Sequence, residues 1–253
     1  MHPDLPTFPA GEWLNQALFG YYPYICLAVL VFGSILRFDR EQYTWRSGSS
    51  QLLRRKQLAL GSNLFHLGIL FLLLGHSVGL LTPHAIYSQF ISAEQKQMLA
   101  IVAGSVAGIV CFFGLTLLMH RRFLDARIRR TSTFGDNAVL LILWVQLCLG
   151  LLTVPFSLAH DDASVMLRLS SWAQAVLTFQ PGAAEYVRGL DWPYQAHLLL
   201  GLTIFLLFPF TRLVHMLSVP IWFLGRRGWQ LVRTRAPEMP HRSVSVPRHT
   251  QPE

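Results

Sequence analysis

One apolar stretch, residues 58–81 (LALGSNLFHLGILFLLLGHSVGLL), constrains this chain more than any other feature of its sequence. It contains no Asp, Glu, Lys or Arg, and as a helix it is long enough to cross a bilayer core of ~30 Å at ~1.5 Å per residue. His66 and His76 lie inside it. An ionisable side chain in hydrocarbon is costly, so each histidine is a candidate functional residue. Ten residues of helix span ~15 Å, which means that the two histidines need separate ligands.

The composition favours a membrane protein. The chain is 52% hydrophobic and 13% charged, whereas a soluble domain usually has about 25% charged residues. A net charge of +8 raises the possibility of nucleic-acid binding. However, the basic residues lie in short segments between apolar runs, which is the pattern of a membrane protein, and we expect no nucleic-acid partner.

The three cysteines are Cys26, Cys111 and Cys148, each in a different apolar segment. The sequence has neither a C-x-x-C nor a C-x-x-C-H motif, so zinc-knuckle and covalent haem sites are not indicated. We expect the cysteines to be small buried hydrophobic residues. The first residues lack the basic region and cleavage site of a signal peptide, so the first helix is predicted to be retained.

The apolar runs predict an all-α membrane protein with a bundle of five transmembrane helices. The predicted spans are residues 19–36, 58–81, 98–119, 137–159 and 193–219. The predicted domains are an external N-terminal tail (1–18), a membrane domain (19–224) and a basic, disordered cytoplasmic tail (225–253). Between residues 165 and 179, apolar residues recur at helical spacing, which predicts an amphipathic helix along the membrane interface.

Lys and Arg residues are distributed very unequally between the two sides of the predicted bundle. Six lie in loop 37–57, five in 120–136 and six from Arg226 onward, so that with Arg212 one side has eighteen, while the other has only Lys96, Arg168 and Arg188. The positive-inside rule therefore places the N-terminus outside and the C-terminus in the cytoplasm.

Four of the ten histidines lie within predicted spans, namely His66, His76, His197 and His215. With this orientation, His76 and His197 share the outer depth, and His66 and His215 share the inner depth. Facing histidines from two helices at two depths form the arrangement that holds two bis-histidine b-type haems.

The spacing along the two helices needs an adjustment. Eighteen residues make five helical turns, which would place His197 and His215 on one face, ~27 Å apart against ~15 Å on the other helix. Helix crossing or a kink at Pro209 would absorb the difference.

Other interpretations of the histidines are weaker. A lone histidine in a span is often a hydrogen-bonded packing residue, but four that pair by depth are less easily explained that way. A proton relay or transporter site usually includes Asp, Glu or Lys, which are not seen beside these histidines. Zinc would need ligands that converge on one point, which the separation within residues 58–81 does not allow.

Several segments resemble the gamma subunit of respiratory nitrate reductase, a membrane dihaem cytochrome b. They are SNLFHLGIL, GHSVGLLTPH, HRRFLDARIRRTSTFGD, CLGLLTVPFS and FLLFPFTRLVHMLSVP, in this order along the chain. The resemblance covers about residues 22–232 and all five spans, and it leaves out the N-terminal extension and the last twenty or so residues.

The resemblance implies a function for the two pairs. His76 and His197 would hold the outer, distal haem b, and His66 and His215 the inner, proximal haem b. Such a subunit oxidises ubiquinol or menaquinol from the quinone pool on the outer side of the bacterial inner membrane. Its electrons go to an iron–sulfur beta subunit and then to a molybdenum-containing alpha subunit, which reduces nitrate during anaerobic respiration and nitrate assimilation.

The resemblance also indicates residues outside the two pairs. Lys96 matches the quinol-site lysine of the family, and Gly75 beside His76 would permit close approach of the quinol ring. Arg212, Arg121 and Arg122 are candidates for contacts with the propionates of the inner haem, or are ordinary positive-inside anchors. Trp144, Trp172 and Tyr87 are expected to be packing and interface residues.

Two alternatives remain open from the sequence. One is a related quinol-oxidising dihaem subunit that serves another cytoplasmic reductase, of the sulfite- or heterodisulfide-reductase type. The other is a haem-free membrane transporter or passive anchor. The residues of this chain do not identify the partner, which only the resemblance indicates.

Overall fold

The computed structural model describes residues 10–41, 43, 45, 55–159 and 162–218, and this part of the chain is helical with no β-strand. Within it, five helices are long and apolar enough to cross a membrane. For these residues, the prediction of an all-α fold with five membrane-length helices is therefore confirmed. The predicted tail 225–253, the first nine residues and most of the loop before residue 55 lie outside the described residues.

The helices are numbered here in chain order. The membrane-length helices are α1 (Gly11–Arg40), α2 (Arg55–Leu81), α4 (Ala93–Leu124), α6 (Phe134–Leu158) and α8 (Trp192–Leu207, with the span continuing to Phe210). The shorter helices are α3 (His84–Tyr87), α5 (Ala126–Arg130) and α7 (Ser164–Leu177).

The first helix begins earlier than hydropathy predicts. Helical structure starts at Ala10, nine residues before the predicted span, so part of the predicted external tail is helical. Hydropathy reports the residues suited to lipid, whereas the polar residues before Phe19 are still compatible with a helix. The helix also contains two π-helical segments, Ala17–Tyr21 and Val29–Gly33. In the first of them, the buried indole of Trp172 donates a hydrogen bond to the carbonyl oxygen of Phe19, at 2.9 Å.

The last span is a broken helix. α8 ends at Leu207, and a 3₁₀ turn, Phe208–Phe210, follows it. Thr211 is extended (φ −120°, ψ 177°) before a second 3₁₀ segment, Arg212–Ser218. Pro209 cannot donate a backbone hydrogen bond and disfavours continuation of the helix. The expectation of five regular turns between His197 and His215 is therefore wrong, because these residues do not share one α-helix.

The long helices pack in a simple order, α2 against α4, α4 against α6, α6 against α8 and α8 against α1. Small residues bring α2 and α4 together. A Cβ at Gly114 would lie 2.8 Å from the carbonyl oxygen of Gly61, and one at Gly68 would lie 2.6 Å from Cβ of Cys111. Small residues at helix interfaces commonly allow membrane helices to pack this closely.

The predicted amphipathic helix is present as α7, although it ends at Leu177 rather than near Phe179. Its buried face includes Val165, Trp172 and Val176, which pack in a cluster with Phe19 and Cys26 of α1. Gln174 donates a hydrogen bond to the carbonyl oxygen of Leu80 at the end of α2, at 3.0 Å. α7 therefore ties α1 to the end of α2 that lies beyond His76.

Candidate functional site

The histidines of α2 face histidines from the last span in two separate pairs. The rings of His76 and His197 have centroids 6.1 Å apart and an interplanar angle of 41°. Those of His66 and His215 have centroids 6.3 Å apart and an angle of 69°. These are the two pairs that depth in the membrane predicts. The break after Leu207 replaces the expected straight helix, so the second pair forms despite the unequal spacing along the sequence.

Each of the four imidazoles is oriented by a backbone carbonyl. Nδ1 lies 2.7 Å from the carbonyl oxygen of Ser62 for His66, and 2.7 Å from that of Leu72 for His76. The corresponding distances are 3.2 Å to Gln146 for His197 and 2.5 Å to Arg212 for His215. A carbonyl oxygen only accepts hydrogen bonds, so Nδ1 carries the proton and Nε2 has the free lone pair. This is the usual second contact of a metal-ligating histidine.

The separation within each pair fits two imidazoles on opposite sides of one metal ion. A nitrogen ligand lies about 2.0–2.1 Å from a first-row metal and about 1.2 Å from the centre of its own ring, which gives centroids about 6.4 Å apart. The described residues contain no group of three or more His, Cys, Asp or Glu that could hold a bare metal ion. Two protein ligands per ion are what a haem needs, because its macrocycle supplies the other four.

The helices leave the histidine face of α2 accessible. Its principal packing partner is α4, while α8 packs against α6 and α1. Both His66 and His76 are exposed, and only 6% of the most apolar part of α2 is buried by the rest of the protein. α2 and α8 are not among the helix pairs in extensive contact, although the rings of His76 on α2 and His197 on α8 lie 6.1 Å apart.

α6 fixes the position of His197. The side-chain amide of Gln146 donates a hydrogen bond to the carbonyl oxygen of His197, at 3.0 Å. In return, Nδ1 of His197 bonds the carbonyl oxygen of Gln146. One turn further on, a Cβ at Gly150 would lie 2.9 Å from Cε1 of His197. The roles of Gln146 and Gly150 were not predictable from the sequence, because they depend on which helix α8 packs against.

α1 fixes the broken end of α8 that leads to His215. Arg37 donates hydrogen bonds to the carbonyl oxygens of Pro209 (2.6 Å) and Thr211 (2.8 Å). A Cβ at Gly33 would lie 2.8 Å from Cγ of Pro209. Carbonyls at a helix end need external donors, and Arg37 supplies them from the neighbouring helix. This residue was also missed, since a lone arginine at a helix end has no distinguishing signal in the sequence.

The chain is similar to known proteins over most of its length. A family model described as nitrate reductase gamma subunit matches residues 15–235. The respiratory nitrate reductase 1 gamma chain of Escherichia coli K12 is 49% identical over 224 residues, which are 88% of this chain and 99% of that relative. The nitrate reductase 2 gamma chain of the same strain is 46% identical over 224 residues, with the same coverage. The nitrate reductase gamma chain of Bacillus subtilis 168 is 36% identical over 213 residues, 84% of this chain and 95% of the relative.

This chain belongs to the nitrate reductase gamma subunit family. The resemblance noted from the sequence is thereby confirmed, over a slightly longer range than residues 22–232. As a member of the nitrate reductase gamma subunit family, the chain is a membrane subunit of a respiratory nitrate reductase and a component of an oxidoreductase complex.

In this gamma subunit, two of the three arginines expected near the inner pair share one carboxylate. Arg212 Nη2 lies 2.8 Å from Oδ1 of Asp136, and Arg122 Nη1 lies 3.4 Å from its Oδ2. Arg121 is buried on the last turn of α4. The main-chain carbonyl of Arg212 accepts the hydrogen bond of His215, so the carboxylate is linked to the inner pair through one residue.

Asp136 itself was not singled out from the sequence. Its position three residues after Thr133 is a capping signal, and the two residues do form a reciprocal capping box at the start of α6. The ion pairs with α4 and the last span depend on the tertiary fold, which the signal does not report.

At the other end of the gamma subunit, Lys96 and Gly75 lie near the ends of α4 and α2 that the loop 82–92 connects. A Cβ at Gly75 would meet no atom within 4 Å, so the helix face beside His76 is open. Lys96 is buried, and its Nζ lies 3.7 Å from the centroid of the Tyr87 ring. Tyr87 was expected to be a packing or interface residue, and its ring also contacts a charged group.

Proposed function

We propose that this chain is the quinol-oxidising, dihaem cytochrome b subunit of a respiratory nitrate reductase. The observation that carries the proposal is that imidazoles face each other in two pairs, with the pairs about 15 Å apart along α2. Membership of the gamma subunit family supports the same function. His76 and His197 would hold the outer haem b, and His66 and His215 the inner one. When bound, each haem supplies a one-electron carrier within the membrane.

The protein's part is to orient the ligands. Nδ1 of each histidine bonds a carbonyl oxygen, which restrains the plane of the imidazole and would leave Nε2 free to bind the haem iron. Gln146 and Arg37 hold the last span from two neighbouring helices. A neutral imidazole that binds iron also avoids the cost of a free charge in hydrocarbon.

The proposed quinol site lies at the end of the bundle near His76. A quinol that becomes a quinone gives up two electrons and two protons, so its oxygens need hydrogen-bonding groups. Lys96 would donate a hydrogen bond to one of these oxygens, and the open face at Gly75 would admit the ring. If protons leave outward while electrons go inward, the reaction separates charge across the membrane, at ~2.3 kcal/mol per charge per 100 mV.

The opposite end would face the cytoplasm. Eighteen of the 21 Lys and Arg residues lie on that side in the proposed orientation, with the N-terminus outside and the bacterial inner membrane as the location. Arg121, Arg122 and Arg212 would bind propionates there, and Asp136 forms ion pairs with Arg122 and Arg212. The electrons would go to an iron–sulfur beta subunit and then to the molybdenum alpha subunit. There, nitrate takes up two electrons and two protons to give nitrite and water.

The first experiment is a reduced-minus-oxidised absorbance spectrum of the purified complex, with a haem-to-chain ratio, before and after addition of a quinol. Two b-type haems per chain that a quinol reduces are the expected result. Absence of haem bands from folded protein would overturn the proposal and favour a haem-free transporter or anchor.

Subunits that co-purify with the chain test the remaining alternative. An iron–sulfur and a molybdenum subunit with nitrate reductase activity are expected. A sulfite- or heterodisulfide-reductase-type partner would instead assign this cytochrome to another complex. The high identity to two nitrate reductase gamma chains over nearly their whole length favours the first outcome.

A further inference from the structure

Lys96 and Tyr87 form a buried contact in which, among the residues that the structure describes, the ammonium of Lys96 has only an aromatic partner. Lys96 lies on the first turn of α4, and Tyr87 ends the short helix α3. Each residue is 7% exposed, and Nζ of Lys96 lies 3.7 Å from the centroid of the Tyr87 ring. An ammonium at this distance from a ring face makes a cation–π contact, which is strongest where water is excluded.

The hydrogen-bonding atoms of both side chains are unsatisfied. Within the part of the chain that the structure describes, neither Nζ of Lys96 nor the hydroxyl of Tyr87 has a hydrogen-bond partner. Burial of such groups without partners is unfavourable. The ring face uses none of the three N–H donors of the ammonium as a conventional hydrogen bond. The contact therefore holds the charge, while its N–H donors have no hydrogen-bond partner among the described residues.

The ring of Tyr87 is itself fixed in place. His84 packs edge-on against it, with ring centroids 5.1 Å apart and an interplanar angle of 76°. The backbone N–H of Tyr87 bonds the carbonyl oxygen of Pro83, at 3.4 Å. Burial raises the pKa of the Tyr87 phenol, and the charge of Glu94 adds to this effect. The phenol is therefore neutral at physiological pH, so its contact with Lys96 is not an ion pair.

The lysine is fixed by its own helix end. Ser92 caps α4 through a reciprocal box with Gln95, which defines the first turn of this helix. His76 lies five residues before the end of α2, which is about 7.5 Å along its axis. Lys96 lies three residues after the start of α4. Tyr87, which lies between α2 and α4, is therefore well placed to set the position of Lys96 relative to His76 and His197.

We propose that Tyr87 is a positioning residue of the quinol site, where the face of its ring holds the Lys96 ammonium with its N–H donors directed to a quinol oxygen. The inference rests on the proposed quinol-oxidising function. Tyr87 acts through Lys96 and not on the reacting atoms, and its ring matters more than its hydroxyl.

The test is steady-state quinol oxidation by the whole complex, with a soluble quinol such as durohydroquinone and nitrate as the acceptor. Tyr87→Leu removes the ring, and we expect KM for quinol to rise about tenfold with a smaller change in kcat. Tyr87→Phe keeps the ring, and we expect its KM to rise less than about threefold. Phe90→Leu, in the same loop but 80% exposed, is the matched control.

A double-mutant cycle with Lys96→Met separates this inference from the proposed function. If Tyr87 acts through Lys96, Tyr87→Leu should cause no further rise in KM in the Lys96→Met background. A Lys96→Met variant with an unchanged KM would instead remove Lys96 from the quinol site and contradict that part of the proposed function.

Two results would overturn the role of Tyr87 alone. One is a normal KM for Tyr87→Leu while Lys96→Met is impaired, and the other is an equal defect in Tyr87→Phe and Tyr87→Leu. Full content of both haems in each variant is the check that the bundle is intact. If Tyr87→Leu loses haem, Tyr87→Met, which fills more of the space, replaces it in the cycle.

Discussion

Gly150 of α6 lies directly against the imidazole of His197 of α8, so a side chain at this position would require a shift of the ring or the helix. A Cβ at Gly150 would lie 2.9 Å from Cε1 of His197 and 3.4 Å from its Nδ1. The nearest atoms belong to an imidazole that α6 itself orients through the carbonyl oxygen of Gln146. The glycine therefore sets how deeply the ring of His197 sits against α6.

Gly150→Ala should displace this imidazole and disturb the outer pair. We expect a lower occupancy of the outer haem, or a shift of its midpoint potential, while the inner haem is unchanged. Redox titration and haem content measure these effects. Gly104→Ala on α4, where a Cβ would meet no atom within 4 Å, is the control. Normal outer haem in Gly150→Ala would show that the ring relaxes without consequence.

Replacement of single histidines tests the pairing directly. His76→Ala and His197→Ala should each remove the outer haem and block quinol oxidation, with one b-type signal left. His66→Ala and His215→Ala should remove the inner haem instead. Haem content and the low-temperature spectrum of each purified variant decide this. The pairing is wrong if His76→Ala leaves both haems, or if His76→Ala and His197→Ala remove different ones.

The four histidines and their partners were predictable because topology and helical rise determine depth in a membrane. Two histidines separated by ten residues on α2 must lie at different depths, and the loop charges determine which depths match on the last span. The distances of 6.1 and 6.3 Å between rings agree with that reasoning. Helical rise and loop charge can both be obtained from the sequence alone.

The path of the chain between His197 and His215 was not predictable in the same way. Pro209 signals a kink, but it does not show that the helix ends at Leu207 and that Thr211 is extended. That geometry depends on Arg37, which bonds two carbonyls at the break from 172 and 174 residues away in the sequence. The roles of Gln146, Gly150 and Asp136 were not predictable for the same reason, since each of these residues acts across a helix interface.

Asp136→Asn tests the charge beside the inner pair. Loss of the carboxylate removes a negative charge near Arg122 and Arg212, which favours the reduced state of a nearby haem. We expect the midpoint potential of the inner haem to rise, on the order of tens of millivolts, with less effect on the outer haem. Asp191→Asn, at the start of α8, is the control. An unchanged or lower inner potential would show that Asp136 does not act electrostatically on this haem.

Arg37→Gln tests whether α1 holds the broken end of α8. Hydrogen bonds from a charged donor contribute about 1.5–3 kcal/mol each, and Arg37 donates to the carbonyl oxygens of both Pro209 and Thr211. We expect a lower thermal stability of the bundle in detergent, with selective loss of the inner haem because the segment that bears His215 loosens. Arg40→Gln, an exposed change at the end of the same helix, should leave both properties unchanged. If Arg37→Gln lost both haems equally, the arginine would stabilise the bundle as a whole rather than the broken end that leads to His215.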